Sequence, residues 1–429
     1  MHKHWAKCIL VVVTVLALPA NATWSIVLVD RVTREVAVGS ATCVINIDLE
    51  DGLPVVRVNR GAAAAQAAYD PTGAYVAIIW NELEAATDPN AILDLLAAAD
   101  PGHQTRQYGI VDVFGRAATF SGASTLAHAS GVTGEAGNIV YAIQGNVLTG
   151  RGVVDAAEAA ILDTPGDMPE KLMAAMEAAY TYGGDGRCSC STRNPPGCGS
   201  PPPSFTKTAH VGFMIVARSG DADGTLCPTF CASGDYHMNL NVANQVSADP
   251  DPVLQLREQF DAWRAENVGA PDAAASLATL TPSRVLNDGT ASVLRVEVLD
   301  WQGAAVVDVA SVVVAHEPDS AGSSQLGAVV ALGGGVFEAA LTSSAVRGID
   351  RFSVSVTAAD GKVRPLIPSP ALLVQDSRAD LNFDGVVDLT DLGLQLANWG
   401  ADGAGDLDGN GRIDLGDLGE MLVNFQPGF

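Results

Sequence analysis

Two short acidic loops near the C-terminus constrain this chain more than any other feature. The first runs Asp380-Leu-Asn382-Phe-Asp384-Gly385-Val386-Val-Asp388-Leu-Thr-Asp391. The second, 26 residues on, runs Asp406-Leu-Asp408-Gly-Asn410-Gly411-Arg412-Ile-Asp414-Leu-Gly-Asp417. Each places oxygen-bearing side chains at positions 1, 3, 5, 9 and 12, a backbone carbonyl at position 7 and glycine at position 6. That is the ligand set of a hard Ca²⁺ ion, and the glycine permits the sharp turn. Carboxylates so crowded repel one another without a cation. The tail is therefore expected to fold around two structural Ca²⁺ ions, with any catalysis upstream.

The other end of the chain reads as a secretory signal. Lys3 and Lys7 supply positive charge, Ile9–Leu18 an apolar core, and Ala20-Asn21-Ala22 a small-x-small cleavage site. No stretch is long enough for a membrane-spanning helix. Cleavage after Ala22 removes two lysines and no acid, taking the formal charge from −25 to −27. Such acidity argues against nucleic acid and anionic membrane surfaces as partners. It suits a secreted, periplasmic or cell-surface protein.

Cys8 leaves with the signal, and Cys43, Cys188, Cys190, Cys198, Cys227 and Cys231 remain. An even number in an exported chain implies disulfides, although six cysteines permit 15 connectivities. Five of them crowd into 188–231, which suggests bridges stapling one insertion. Cys188 and Cys190 are too close in sequence to pair comfortably with each other. A zinc site built from Cys188-x-Cys190 and Cys227-x₃-Cys231 is the alternative.

The mature length implies two or three domains. Within 23–267, Trp24–Val29, Glu35–Cys43, Tyr108–Val113, Ala117–Phe120, Ile139–Gln144 and His210–Ala217 read as strands. Asp88-Pro89 opens a helix, Val153–Leu162 and Met168–Tyr180 form two more, and Asp249-Pro-Asp-Pro252 begins a last one with Leu254, Leu256, Phe260 and Trp263 as packing residues. Residues 183–208, rich in Gly, Pro and Cys, form an insertion. An Ala-rich linker at 268–279 precedes short alternating strands over 281–375 that read as a β-sandwich. Its stretch Asn287-Asp-Gly289 … Asp300-Trp-Gln-Gly303 resembles the immunoglobulin-like repeats of bacterial adhesins.

Chemistry in the first domain centres on Thr23. Signal cleavage gives it both a hydroxyl and a free α-amine, which titrates near pH 8 and can act as a base. Threonine activated by its own amine is an established nucleophile design. His103, His128, His210 and His237 are scattered and read as structural or surface residues. No phosphate-binding glycine loop is present, since Gly183-Gly184 is followed by Asp185.

The segments Thr23-Trp-Ser-Ile26, Gly61-Ala-Ala-Ala-Ala-Gln66, Asp100-Pro-Gly102 … Arg106-Gln107 … Val111-Asp112, Tyr141-Ala-Ile-Gln144-Gly145-Asn146, Gly183-Gly184-Asp185-Gly-Arg187 and Asp249-Pro-Asp-Pro252 resemble the bacterial family known as domain of unknown function 1028. The resemblance runs from 23 to about 266. It implies a four-layer αββα sandwich like that of the N-terminal-nucleophile hydrolases, with Thr23 as nucleophile. On this reading Gln144 and Asn146 polarise a substrate carbonyl, and Asp185 and Arg187 orient the amine or a charged substrate group. A small amide or peptide is the implied substrate.

The tail resembles dockerin modules. Each loop leads into one helix, and Leu389, Leu392, Leu396 and Trp399 match Leu415, Leu418, Leu422 and Phe425 position by position. The resemblance implies a cohesin-like or other cell-surface partner. The expected protein is thus an exported, modular one: signal peptide 1–22, an N-terminal-nucleophile-like α+β domain over 23–267, an all-β immunoglobulin-like sandwich over 281–375, and a small helical dockerin-like tail over 376–429. An amidohydrolase is the leading function. A non-catalytic surface or scaffold protein and a component of a polysaccharide-degrading assembly are the alternatives.

Overall fold

The computed structural model describes residues 23–426 except 226, 228, 229, 321, 322 and 360, so the expected signal peptide lies outside the described residues. The chain divides into two units, Met1–Asp261 and Ala262–Phe429.

In the first unit, long apolar runs form buried strands. β1 (Thr23–Asp30) and β2 (Val36–Thr42) pair antiparallel through a tight turn in which Asp30 Oδ1 accepts the Val32 and Thr33 amides. They sit centrally in a six-stranded sheet that also holds β7 (Ser130–Ala136), β8 (Ile139–Asn146), β9 (Val211–Ala217) and β10 (Met238–Val242), in the order β10-β9-β2-β1-β8-β7. A second sheet, β3-β4-β5-β6, comprises Pro54–Arg57, Gly61–Ala67, Arg106–Asp112 and Ala117–Ser121.

The two sheets face each other. Val27, Val29, Val36 and Val38 of the first share one core with Val56, Ala62, Ala64 and Val111 of the second. Helices cover the outer faces. α1 (Ala74–Glu84) and α2 (Pro89–Ala99) bury Ile79, Leu83, Ile92 and Leu96 against the smaller sheet. α3 (Gly152–Asp163) and α4 (Met168–Thr181) lie on the larger one, at β7–β8 and at β1, β2 and β9 respectively. A strand with helices on one side and a second sheet on the other is buried on both faces, which is why residues 26–29 of β1 and 36–38 of β2 are continuous apolar runs rather than alternating ones.

A short turn of helix, α5 (Gly186–Ser189), starts the insertion. Gly184 has φ +48°, and a Cβ there would lie 2.6 Å from the Trp24 ring, so the sharp turn requires glycine. Disulfides join Cys43–Cys188, Cys190–Cys198 and Cys227–Cys231. Cys188 and Cys190 do bridge to different partners, and pairing of all six leaves no thiolates for zinc. The bridges do not staple a single insertion, however: one ties β2 to α5, one closes a small loop, and the third lies before β10. Such bridges are compatible with an exported protein. Among the described residues no helix is long and apolar enough to cross a membrane.

α6 (Pro252–Glu266) begins where Asp251 accepts the Thr208 amide at 2.6 Å and the Val253 amide at 2.8 Å. Leu256 and Phe260 are buried as expected, but Leu254 faces solvent and Val253 packs in its place, one residue earlier on the helical wheel.

In the second unit β11 (Leu277–Thr281) starts inside the expected linker. β12 (Arg284–Leu286), β13 (Ala291–Glu297), β14 (Val309–His316), β15 (Gln325–Gly333), β16 (Val336–Thr342), β17 (Gly348–Ala358), β18 (Val363–Leu366) and β19 (Ala371–Gln375) follow. Sheets β11-β13-β16-β15 and β12-β19-β17-β14, the latter with β18 beside β17, share a core of Leu294, Val296, Leu341, Phe352, Val354 and Leu372. Helices α7 (Leu389–Ala397) and α8 (Leu415–Val423) follow the two acidic loops. They bury Asp391 with Gln395 and Asp417 with Met421, a stripe one turn apart, whereas Leu389, Leu396, Leu415 and Leu422 are exposed.

Candidate functional site

Thr23 begins β1 and is held from both sides. Its amide donates to Asn146 Oδ1 at 3.2 Å, and its carbonyl accepts from Gln66 Nε2 at 2.9 Å. Register explains both contacts. Thr23 lies opposite Asn146 of β8 and Thr42 of β2, while Gln66 reaches across from β4 in the facing sheet. Only 1% of Thr23 is exposed, and among the described residues no hydrogen bond engages its hydroxyl.

Behind Thr23 a polar layer runs between the sheets. The Ser25 hydroxyl donates to Gln66 Oε1 and lies 3.0 Å from the Ser40 hydroxyl. Gln66 Nε2 also donates to Gln107 Oε1 at 2.7 Å, and Gln107 Nε2 donates to the Ser121 hydroxyl and the Gly145 carbonyl. Buried polar groups are tolerable when their hydrogen bonds are made, and this network fixes the start of β1. Gln144 stands apart. It packs over Gly109, where a Cβ would fall 1.9 Å from its Oε1, and neither amide atom has a hydrogen-bond partner.

In front of Thr23 lies a cavity of about 490 Å³, lined also by Asn46, Asp48, Asp51, Gln66, Tyr69 and Asn244 with an apolar floor that includes Ile47, Leu49 and Leu53. The β2–β3 loop forms this wall and is pinned to the chain around β10. Asn46 N donates to Gln245 O, Asn244 N to Ile47 O, and Asn241 Nδ2 to both Asp48 oxygens at 2.9 and 3.1 Å. Glu50 sits beside it, accepting from Asn239 Nδ2 at 3.3 Å. Burial, opposed by that hydrogen bond and aided by Asp48 and Asp51, pushes the Glu50 carboxyl up to about 7. Burial and neighbouring Asp48 likewise raise Asp51.

Residues 23–193 match the family of unknown function DUF1028. No curated protein matches the chain. A DUF1028 crystal structure from Silicibacter pomeroyi is 18% identical, covers 56% of this chain and 88% of its own, and superposes with a TM-score of 0.41. The Yersinia pseudotuberculosis adhesin InvE is 21% identical over 26% of this chain and 29% of its own, with a TM-score of 0.21. InvD from the same organism is 10% identical over 63% and 52%, with a TM-score of 0.22.

The segments quoted for the resemblance divide by role within the DUF1028 region. Asp185 is fully buried. Its carboxylate accepts the Cys43 amide at 2.9 Å, caps α5 through the Arg187 amide at 3.0 Å and pairs with the Arg187 guanidinium at 2.7 Å. Burial raises its pKa against those partners. Asp185 and Arg187 thus anchor the end of β2, and neither lines the cavity. Asp100 accepts the Gly102 amide and pairs with Arg106 at 2.8 Å, bracing the entry to β5. Of the expected site residues, Thr23 and Asn146 are brought together and Gln144 lies one pleat behind. His103 is buried in a ring stack with Phe120, the centroids 4.1 Å apart. Gln66, Asp48, Asp51 and Tyr69 were not among the expected site residues. Gln66 closes a segment already singled out, whereas the loop residues carry no local signal.

The two tail loops repeat one set of hydrogen bonds. Asp391 accepts the Leu381, Asn382 and Asp388 amides, and Asp417 accepts those of Leu407, Asp408 and Asp414, all between 2.6 and 3.0 Å. Asp406, Asp408 and Asp417 bring carboxylate oxygens within 4.8 Å of one another. Asp380 Oδ1 is buried without a partner. An orphaned carboxylate oxygen and a converging oxygen set fit a hard cation. Asp380, Asn382, Asp384, Val386 O, Asp388 and Asp391 would hold one ion, and Asp406, Asp408, Asn410, Arg412 O, Asp414 and Asp417 the other.

Proposed function

We propose that the protein is an exported amidohydrolase of the N-terminal-nucleophile type, with Thr23 as nucleophile and a calcium-binding, dockerin-like tail for attachment. One observation carries this reading: a threonine pinned at its amide and its carbonyl lines a cavity of substrate size. Two facing sheets between outer helices agree with the layering expected of such hydrolases, and the disulfides agree with export.

On this reading cleavage before Thr23 turns the amide now held by Asn146 into a free amine, and Asn146 Oδ1 orients it. The hydroxyl attacks the substrate carbonyl carbon while the amine takes the hydroxyl proton through a water. That proton passes to the departing nitrogen as the C–N bond breaks. Water then hydrolyses the ester on Thr23 and restores the hydroxyl. Asn146 thereby serves the amine rather than the substrate carbonyl. Gln66 holds the strand that carries the nucleophile. Calcium would supply the charge balance that lets the tail loops close, and the exposed leucines of α7 and α8 would offer a cohesin-like partner its surface.

The test is a mature chain beginning at Thr23, assayed against small amides that include acylated amino acids and cyclic amides. Turnover should vanish in Thr23→Ala, persist in part in Thr23→Ser, and vanish when residues precede Thr23. Activity that survives both Thr23→Ala and N-terminal extension places the nucleophile elsewhere.

A further inference from the structure

The walls of the Thr23 cavity have one sign of charge. Asp48 and Asp51 line it, and among the described residues no lysine, arginine or histidine does. Glu50, between them in sequence, adds a third acid to the same loop. Tyr69 stands on the same wall, its ring edge where a Cβ on Gly52 would meet it at 2.5 Å, and it remains half-exposed. Thr23 supplies an independent mark of a ligand site: it is 1% exposed, it lines this cavity, and among the described residues no hydrogen bond engages its hydroxyl.

We propose that the cavity takes an amide substrate bearing a cationic amino or guanidino group, seated against Asp48 and Asp51 beside the Tyr69 ring, with its carbonyl toward Thr23. This rests on the Thr23 cavity being the substrate site, not on the reaction that follows.

Three features favour an organic cation over a metal ion. Both Asp48 oxygens already accept from Asn241, leaving that carboxylate a field rather than a chelator. Among the described residues the three acids of this loop do not bring their oxygens together as metal ligands do. A tyrosine ring lining the same cavity as the carboxylates adds to their attraction for an ammonium or guanidinium, and that attraction strengthens with partial desolvation. The acids also repel one another across a part-buried loop, a cost that a bound cation relieves and an anion aggravates. The cavity volume is within the range for a small acylated amino-acid amide.

The experiment measures calorimetric binding to the full chain carrying Thr23→Ala, which removes turnover and leaves the acids in place. The probes are N-acetyl-arginine amide, N-acetyl-norleucine amide and N-acetyl-glutamate amide. The arginine probe should bind about tenfold more tightly than the norleucine probe, a difference of the size a charge-assisted hydrogen bond supplies. The glutamate probe should bind weakest. Asp51→Asn, on an exposed side chain whose loss does not threaten folding, should cut the cationic preference about fivefold, and Asp51→Lys should reverse it. Equal binding of the arginine and norleucine probes, or a preference unchanged by both Asp51 variants, overturns the proposal. A cationic preference in Thr23→Ala, alongside an unmodified chain that turns over no amide, leaves the proposal standing and removes the hydrolase reading. Turnover confined to neutral amides does the reverse.

Discussion

Severing the Cys43–Cys188 bridge should cost far more stability than severing either of the others. The two cysteines are 145 residues apart, against 8 for Cys190–Cys198 and 4 for Cys227–Cys231. Loop-closure entropy predicts about 5 kcal/mol for the first, about 2.5 for the second and about 2 for the third at 25 °C. The local structure adds to the contrast. Cys43 follows directly on Thr42, the residue opposite Thr23, and its amide is held by Asp185. Cys190–Cys198 closes only a loop of the insertion. The perturbation is Cys43→Ala with Cys188→Ala, compared with Cys190→Ala and Cys198→Ala. The assay is urea unfolding of the oxidised chains followed by tryptophan fluorescence, Trp24 being buried beside this region. A loss about twice as large for the first pair is expected. Equal losses, or a larger loss for the short loop, would refute the entropic reasoning and place the stabilisation in local contacts.

Glu50 has its pKa raised in the fold, so it stabilises the protein below the ordinary carboxylate range and loses that contribution as pH rises through about 7. Glu50→Gln should therefore raise the melting temperature at pH 8 and flatten its fall between pH 5 and 8; an unchanged profile removes Glu50 as the cause. The full chain should bind two Ca²⁺ ions by calorimetry, and Asp380→Ala or Asp406→Ala should each leave one; undiminished stoichiometry would discard the ligand assignment. Gly109→Ala should displace Gln144 from its pocket and destabilise the fold by about 1–3 kcal/mol, measured as a drop in unfolding free energy; a neutral effect would show that Gln144 moves freely.

Legibility in the sequence followed the strength of local signals. β1, β2, β8 and β9 announce themselves through runs of Val, Ile and other apolar residues, because strands covered on both faces carry apolar residues on both. β4 did not, since Gly61–Ala67 is nearly all alanine, a residue without strand preference. α2 was visible from Asp88-Pro89, where the Asp88 side chain caps the Asn90 amide. α1 was not, because its N-cap is Gly73 with no side-chain cap. The cavity wall was hidden for a different reason. Asp48 meets Asn241 and Glu50 meets Asn239 across separations of 193 and 189 residues, and no local pattern encodes such pairs.

The interface face of β1 shows why Thr23 reads as more than the first residue of a strand. Residues on this face run Thr23, Ser25, Val27 and Val29, and their neighbours change with them, from Asn146, Gln66, Ser40 and Gln107 at one end to Val36, Val56 and Ala62 at the other. The apolar end needs no explanation beyond burial. At the polar end each buried group pays a desolvation penalty that its hydrogen bonds only recover, so valines there would stabilise the fold at least as well. What the polar end secures instead is position: both backbone groups of Thr23 are fixed where the residue lines the cavity. Stability alone would not select that distribution. The proposed function would account for it, since a nucleophile has to be held in place.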